Sequence, residues 1–402
     1  MAEGVGNPWL TIVGIGEDGP AGLSAASRDA IAQADWLTGA ARHLALLADP
    51  GCETACWPVP FADGIAPVLA RRGRRVVMLV SGDPFWFGAG SVVTRQLAPH
   101  EWVAHPAPSS FALAAARLGW AIEETQCLGL HAAPFQRLRQ HLAPGSRAIV
   151  TVRDGGAVAG LAGYLTGSGF GESALWILEA LGGPRERIRQ TSAASDAFAD
   201  IQHPVAVAIE VAGEGAVLPG ASGRPDAWFA HDGQITKQPI RALTLSALAP
   251  RPGELLWDIG AGSGSIAIEW LLCAASMRAL AFEADPTRAA RARDNAAALG
   301  MDRLRVIEGR VPDTLADQPI PDAVVIGGGL SEALLVWLWQ HLPSGTRLVA
   351  NAVTLESEAL LSQWQRDKGG DLLRIELARA APIGTRRGWR SNYPIVQWSV
   401  TL

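Results

Sequence analysis

The sequence predicts an α/β protein of two successive domains, on three observations. At 402 residues the chain is longer than one ordinary core organises. Short β-rich runs alternate with alanine-rich stretches of helical length. That rhythm breaks over Ala212 to Asp226, where Gly-Glu-Gly and Pro-Gly-Ala-Ser-Gly-Arg-Pro leave no apolar periodicity. We expect domains over 1–211 and 227–402, with 212–226 as the linker.

Composition bounds the rest. Apolar residues make up 49% of the chain and charged residues 18%, enough to bury two cores and too apolar for extensive disorder. A net charge of −5 lacks the diffuse cation field that non-specific nucleic-acid or membrane binding needs, so neither partner is expected. Met1 to Trp9 lacks a basic segment followed by an apolar one, and no apolar run reaches the ~18 residues of a membrane span. A cytoplasmic protein is expected. Cys52 and Cys56 lie close together while Cys127 and Cys273 stand alone, without a histidine pair at zinc-like spacing. Reduced structural thiols and no metal follow.

The first half offers strands at Leu10 to Val13, Val76 to Val80, Ala148 to Val152, Leu175 to Leu178 and Val205 to Val211. The second offers seven: Glu254 to Asp258, Ala279 to Glu283, Leu304 to Ile307, Ala323 to Ile326, Arg347 to Asn351, Leu372 to Leu377 and Pro394 to Val400. Helices separate the first five. The glycine- and arginine-rich loop Ala380 to Ser391 is too short for a helical crossover, so the last two strands are expected to pair antiparallel. A mostly parallel sheet ending in one antiparallel strand results.

In the second half, Trp257-Asp258-Ile259-Gly260-Ala261-Gly262-Ser263-Gly264-Ser265 reads as strand, glycine loop and helix start. Glycines let backbone approach a ligand and take positive φ, and a helix start offers free N–H groups. A dinucleotide fingerprint wants glycine at its sixth position, which here is Ser265. About twenty residues on, Glu283 is placed to accept both ribose hydroxyls of an adenosine, with Asp285 the second choice.

These residues resemble class I methyltransferases, and more narrowly the decarboxylating domain of the precorrin-6Y C5,15-methyltransferase family of cobalamin biosynthesis. Ile235-Thr236-Lys237, Ile240-Arg241-Ala242, Asp258 to Glu269, Glu308-Gly309-Arg310-Val311-Pro312, Ile326-Gly327-Gly328-Gly329 and Asn351-Ala352-Val353-Thr354 carry the resemblance over Ile235 to Leu402. It implies a Rossmann-like seven-stranded fold that binds S-adenosylmethionine through Asp258, Gly260, Gly262, Gly264 and Glu283. Thr236 and Asn351 fall near the pocket by motif. Lys237 and Arg241, with Arg386, Arg387 and Arg390 of the last loop, are expected to clamp substrate carboxylates. Tyr393 stands between Asn392 and Pro394, where the family pattern joins asparagine to proline directly.

In the first half, Val13-Gly14-Ile15-Gly16-Glu17-Asp18-Gly19 satisfies G-x-G-x-x-G, with Asp35 as a ribose acid, and so raises an NAD-dependent oxidoreductase reading. Pro20 and Gly22 weigh against it, because the helix cannot begin close under a pyrophosphate. Ser81-Gly82-Asp83-Pro84-Phe85-Trp86-Phe87-Gly88 forms a tight turn rimmed by aromatics. Ser109 and Ser110 precede an alanine-rich helix, where either also suits an N-cap.

Together with Ala34-Asp35 and Glu179-Ala180-Leu181-Gly182-Gly183-Pro184-Arg185-Glu186-Arg187-Ile188, these segments resemble class III tetrapyrrole methyltransferases over Trp9 to Val211. The resemblance implies two αβ lobes, a tetrapyrrole trough bordered by Gly14 and Gly16, and S-adenosylmethionine held by Gly82, Asp83, Pro84, Ser109 and Ser110. His131-Ala132-Ala133 stands where His-Gly-Arg is expected, so no catalytic residue is carried over. The two resemblances in one chain imply two S-adenosylmethionine sites, a tetrapyrrole substrate and a homo-oligomer. RNA as methyl acceptor and a catalytically silent cofactor-binding module are the remaining rivals.

Overall fold

A computed structural model describes residues 8–195 and 199–402; most of the stretch from Met1 to Trp9 that was read for a leader, residues 1–7, lies outside them. The chain forms two compact units. One runs to Phe135 and takes up His141–Ala216; the other comprises Gln136–Gln140 with Val217–Leu402.

The first unit contains two five-stranded sheets. In chain order, the first has β1 (Leu10–Ile15), β2 (Trp36–Gly39), β3 (Glu53–Cys56), β4 (Val76–Ser81) and β5 (Trp102–His105). All pair parallel in the order β3-β2-β4-β1-β5. β1 and β4 are apolar on both faces because each face packs a core: Leu10, Ile12, Val76 and Met78 on one side, Val13, Ile15, Val77 and Leu79 on the other. The second sheet has β6 (Thr125–Gly129), β7 (Arg147–Thr151), β8 (Ala174–Glu179), β9 (Arg187–Ser192) and β10 (Val205–Glu210), in the order β6-β7-β10-β8-β9. Of the strands the sequence did not announce, β3, β5, β6 and β9 are sheet edges. Arg187-Ile188-Arg189-Gln190-Thr191-Ser192 has no fully buried position, so no apolar rhythm marks it.

The second unit continues with β11 (Leu255–Ile259), β12 (Arg278–Glu283), β13 (Arg305–Glu308), β14 (Ala323–Ile326), β15 (Arg347–Ala352), β16 (Asp371–Ile375), β17 (Ala378–Ile383), β18 (Arg386–Ser391) and β19 (Ile395–Thr401). Seven of these form one sheet, ordered β13-β12-β11-β14-β15-β19-β16. β16 and β19 pair antiparallel as expected, but β19 also pairs antiparallel with β15 and so lies inside the sheet. The stretch read as a loop, Ala380 to Ser391, is largely a ribbon: β17 and β18 pair only with each other. Strand order reverses between β11 and β14, the switch point at which ligands enter such sheets.

The stretch 212–226 is not a free tether. The Gly215 amide donates to Gly169 O at 2.9 Å within the first unit. Leu218 and Arg224 are buried in the second, Leu218 in a core cluster with Phe229 and Leu245. Glycine and proline here mark an irregular path, with side chains buried at isolated positions that leave no periodic signal.

Candidate active site

The second unit holds a cavity of about 600 Å³ at the carboxyl ends of β11, β12, β14 and β15, lined by Thr236, Lys237, Gly260, Gly262, Glu283, Arg310, the Gly327–Gly329 turn and Asn351. Gly260 has φ +67, and a Cβ on it would sit 2.6 Å from Gly328 backbone atoms. The two glycine turns therefore approach each other at the switch point only because neither carries a side chain there. Glu283 Oε2 accepts from the Gly262 amide at 2.8 Å and Oε1 from Asp285 N at 3.0 Å. Each oxygen keeps a second lone pair, so the carboxylate is pre-oriented with capacity for a ribose diol. Asp285 instead caps the helix Pro286–Ala298 through Thr287 N and Arg288 N.

Asn351 belongs to a polar triad. Its Nδ2 donates to Thr244 Oγ1 at 3.0 Å, while Gln397 Nε2 donates to Asn351 Oδ1 at 2.9 Å and to Thr244 Oγ1 at 3.0 Å. Gln397 was not singled out from sequence; its signal is the β15–β19 register, which sets it opposite Asn351.

Several residues assigned to this site from sequence lie elsewhere. Asp258 is buried, accepts from the Ala267 amide at 3.0 Å, and does not line the cavity. Burial pushes its carboxyl up to about 7; the Ala267 hydrogen bond opposes this and the negative charge of Glu283 adds to it. Gly264 starts the helix Ser265–Leu271 and packs on Ala292, where a Cβ would come within 3.0 Å. Arg241 is 0% exposed. Its Nε meets Glu269 at 2.7 Å and its Nη2 meets Asp226 at 3.1 Å, and it also donates to the carbonyls of Thr236 and Arg224. It is a structural hub, since one helical turn beyond Lys237 the helix Gln238–Leu248 turns inward with Ile240, Thr244 and Leu245. Arg386 and Arg387 lie on the exposed ribbon, outside the cavity.

The first unit has its own cavity, about 630 Å³, where the carboxyl ends of β1, β2 and β4 meet the ends of β7 and β8. Gly16, Gly82, Asp83, Ser109 and Ser110 line it. Gly82 has φ +52, and a Cβ on Gly14 would stand 1.9 Å from Gly82 O. Gly14 thus does not reach the cavity; it lets β1 pass against the Gly82 turn. Asp83 Oδ1 accepts from Phe85 N at 2.8 Å, shaping the turn, and Pro84 packs behind it against Gly88 and Gly90 rather than lining the site. Ser109 caps the helix Ser110–Leu118 by accepting from Ala112 N at 3.1 Å, leaving Ser110 as the exposed hydroxyl of the pair.

Sequence reasoning missed a polar cluster on this cavity wall. Arg42 Nη1 meets Glu17 at 2.7 Å, Arg185 meets the other Glu17 oxygen at 2.9 Å, and Arg42 also donates to Ser81. His43 Nε2 lies 3.2 Å from Ser81 Oγ. Burial, reinforced by the Arg42 charge, depresses His43 to about 3, so it is neutral at physiological pH. His131 also lines the cavity, with Nδ1 3.5 Å from Thr151 Oγ1. Asp35 is paired with Arg75 at 2.7 Å and is absent from the cavity wall, which removes the acid that a dinucleotide site would need.

Among the described residues no cluster of three histidine, cysteine or carboxylate side chains could hold a metal, and no helix is long and apolar enough to cross a membrane. The family model described as tetrapyrrole (corrin/porphyrin) methylases matches residues 9–195, and that of the precorrin methyltransferase domain matches 227–402. A precorrin-6Y C(5,15)-methyltransferase [decarboxylating] of Sinorhizobium sp is 50% identical over 98% of this chain and 97% of its own. One of the same description from Mycobacterium tuberculosis is 40% identical over 98% and 99%. A cobalt-precorrin-6B C(15)-methyltransferase (decarboxylating) of Salmonella typhimurium is 30% identical over 166 residues, 40% of this chain and 85% of its own.

Proposed function

The chain belongs to the family of decarboxylating precorrin-6Y C5,15-methyltransferases, and on that footing we propose that it converts precorrin-6B to precorrin-8. The reaction methylates ring carbons 5 and 15 and removes carbon dioxide from the acetate arm at carbon 12. It uses two equivalents of S-adenosylmethionine, one in each unit. The observation that carries the two-site reading is the presence of two separate cavities, each at the carboxyl ends of neighbouring parallel strands and each bordered by a glycine turn. We assign methylation of carbon 15 with decarboxylation to residues 227–402, which the precorrin methyltransferase domain model matches, and methylation of carbon 5 to the first unit.

The residues present fit the cofactor. Glu283 offers a fixed carboxylate for the ribose, and the glycine turns leave their backbone bare toward the ligand. S-adenosylmethionine, when bound, supplies a methyl group already activated on sulfonium. The protein's part is to hold substrate carbon and methyl in line, an effect worth on the order of 7–11 kcal/mol at best. Thr236, Lys237 and Asn351 border the second cavity and Gly16 the first, where they contact substrate. Neutral His43 and the Arg42–Glu17 pair meet at Ser81 and give one wall of the first site an uncharged imidazole beside an ion pair.

Mass spectrometry of precorrin-6B incubated with excess S-adenosylmethionine tests the reading. The wild-type chain is expected to add two methyl groups and release carbon dioxide; Glu283→Ala in the full chain is expected to add one and keep the carboxylate. An unchanged substrate mass with wild type would refute the assignment.

A further inference from the structure

Two buried residues hold Asn351 from behind the wall of the second cavity. Thr244 is 0% exposed and Gln397 4%, and neither lines the cavity that Asn351 borders. They stand in a core, on the helix Gln238–Leu248 and on β19, where apolar side chains would fill the space with no hydrogen bond to satisfy. Their polarity is used on each other and on Asn351.

A backbone carbonyl fixes the direction of every bond in this triad. Thr244 Oγ1 donates to Ile240 O at 2.8 Å, which engages its single proton and leaves the oxygen able only to accept. It accepts from Asn351 Nδ2 and from Gln397 Nε2, each at 3.0 Å, so both lone pairs are occupied. Gln397 Nε2 gives its second proton to Asn351 Oδ1 at 2.9 Å. Turning over the Asn351 amide alone would set its Nδ2 against Gln397 Nε2, donor to donor. Turning over Gln397 alone would set its Oε1 against Asn351 Oδ1. Turning over both would place two carbonyl oxygens on Thr244 Oγ1, which has one proton to offer. Only the observed combination satisfies all three side chains.

In that orientation Asn351 keeps one N–H and one Oδ1 lone pair free of the triad. Strand order decides what they serve. Glu283, the ribose acceptor, ends β12, while Asn351 is on β15, with β11 and β14 between them. At ~4.8 Å per strand the two stand roughly 14 Å apart, on opposite sides of the switch point. Asn351 therefore borders the part of the cavity away from the ribose, with Val353 and Ile395.

We propose that Thr244 and Gln397 are positioning residues for the C-terminal reaction: they hold Asn351 with its free N–H toward the substrate, where it donates to a carboxylate oxygen of one arm. Neither touches the substrate; each acts through the Asn351 amide. This inference rests on precorrin-6B as the substrate, and the test separates the two.

The readout is the rate of carbon dioxide release from precorrin-6B by the full-length enzyme. Thr244→Val, which keeps the shape and removes the hydroxyl, and Gln397→Leu are each expected to lower kcat/KM about tenfold. Thr244→Ser keeps the oxygen and should stay within about twofold of wild type. S-adenosylmethionine affinity at this site, by calorimetry, should move less than about threefold in all three. Asn351→Asp, which offers only acceptors, should raise KM above that of Asn351→Ala. In an Asn351→Ala background, Gln397→Leu should lower kcat/KM less than about twofold further, because the group it orients is gone. A further tenfold loss there, or Thr244→Ser as impaired as Thr244→Val, would refute the positioning role. Asn351→Asp with the KM of wild type would refute the donated N–H. Failure of wild type to release carbon dioxide would overturn the substrate reading itself, and this role with it.

Discussion

Replacing Asp258 with asparagine removes an ionisable group from beneath the C-terminal glycine loop while nearly preserving its shape. Asp258 is buried, so burial, with the Glu283 charge, lifts its carboxyl from 3.8 to about 7 against the Ala267 hydrogen bond. The folded pKa lies above the unfolded one. Below pH ~4 both states are protonated and the group has no effect. Between about 4 and 7 the unfolded chain releases a proton that the folded chain keeps, so stability falls as pH rises, by about 1.4 kcal/mol per pH unit. The loss reaches roughly 4 kcal/mol near neutrality and then levels off. The substituted amide would lack that slope but carries two N–H donors where the protonated carboxyl carries one O–H, a pH-independent cost of about 1–3 kcal/mol. Asp258→Asn is therefore expected to be less stable than wild type at pH 4–5 and equal or more stable at pH 8. Urea unfolding of the full chain, followed by pulsed hydrogen exchange in β11, reads this without assuming that both units melt together. Since Asp258 does not line the cavity, affinity for S-adenosylmethionine should change less than about threefold. A stability difference that stays constant from pH 4 to 8 would show the carboxylate ionised in the fold. A loss of affinity with parallel stability curves would place it on the ligand.

Three further outcomes follow from the side-chain geometry. Glu283→Ala removes both ribose acceptors as well as the brace on Gly262, and calorimetry should show at least about thirtyfold weaker S-adenosylmethionine binding at the C-terminal site, or ~2 kcal/mol. Arg241→Leu leaves Glu269 buried with an incomplete set of cations, a loss of about 3–5 kcal/mol visible as a lower thermal midpoint; a raised KM in a protein of unchanged stability would instead restore Arg241 to the substrate site. Ser109→Ala should cost about 1 kcal/mol of stability through the lost N-cap, whereas Ser110→Ala should leave stability unchanged and weaken cofactor binding in the first unit; the reverse pattern in paired melting and binding measurements would exchange their roles.

Strands buried on both faces were legible in the sequence because every position obeys one constraint. Val76 to Val80 and Ala323 to Ile326 are apolar throughout and are central strands. Edge strands obey a weaker one. Arg187–Ser192 and Glu53–Cys56 turn much of their length to solvent, and their residues carry no period. The glycine loop with Glu283 was legible for a different reason: a ligand cradle fixes residue types at set distances along the chain, independently of how the sheet is ordered.

What a side chain faces was not legible where it depends on distant chain. Lys237 and Arg241 read alike as cations near a motif, yet one borders the cavity and the other is enclosed by Asp226, Glu269 and two carbonyls. Only tertiary packing brings those acceptors together, from segments up to 28 residues away. Ser81 and His43, 38 residues apart, meet because β2 and β4 are neighbours in the sheet. Asn351 meets Gln397 because β19 inserts beside β15. Fold class, family and the residues that need bare backbone could be read from the chain alone, since those are constraints local to a turn or a strand. Which polar groups share a wall, and which cation is buried to hold the fold, follows from strand order, a property of the assembled sheet that no short window of the chain contains.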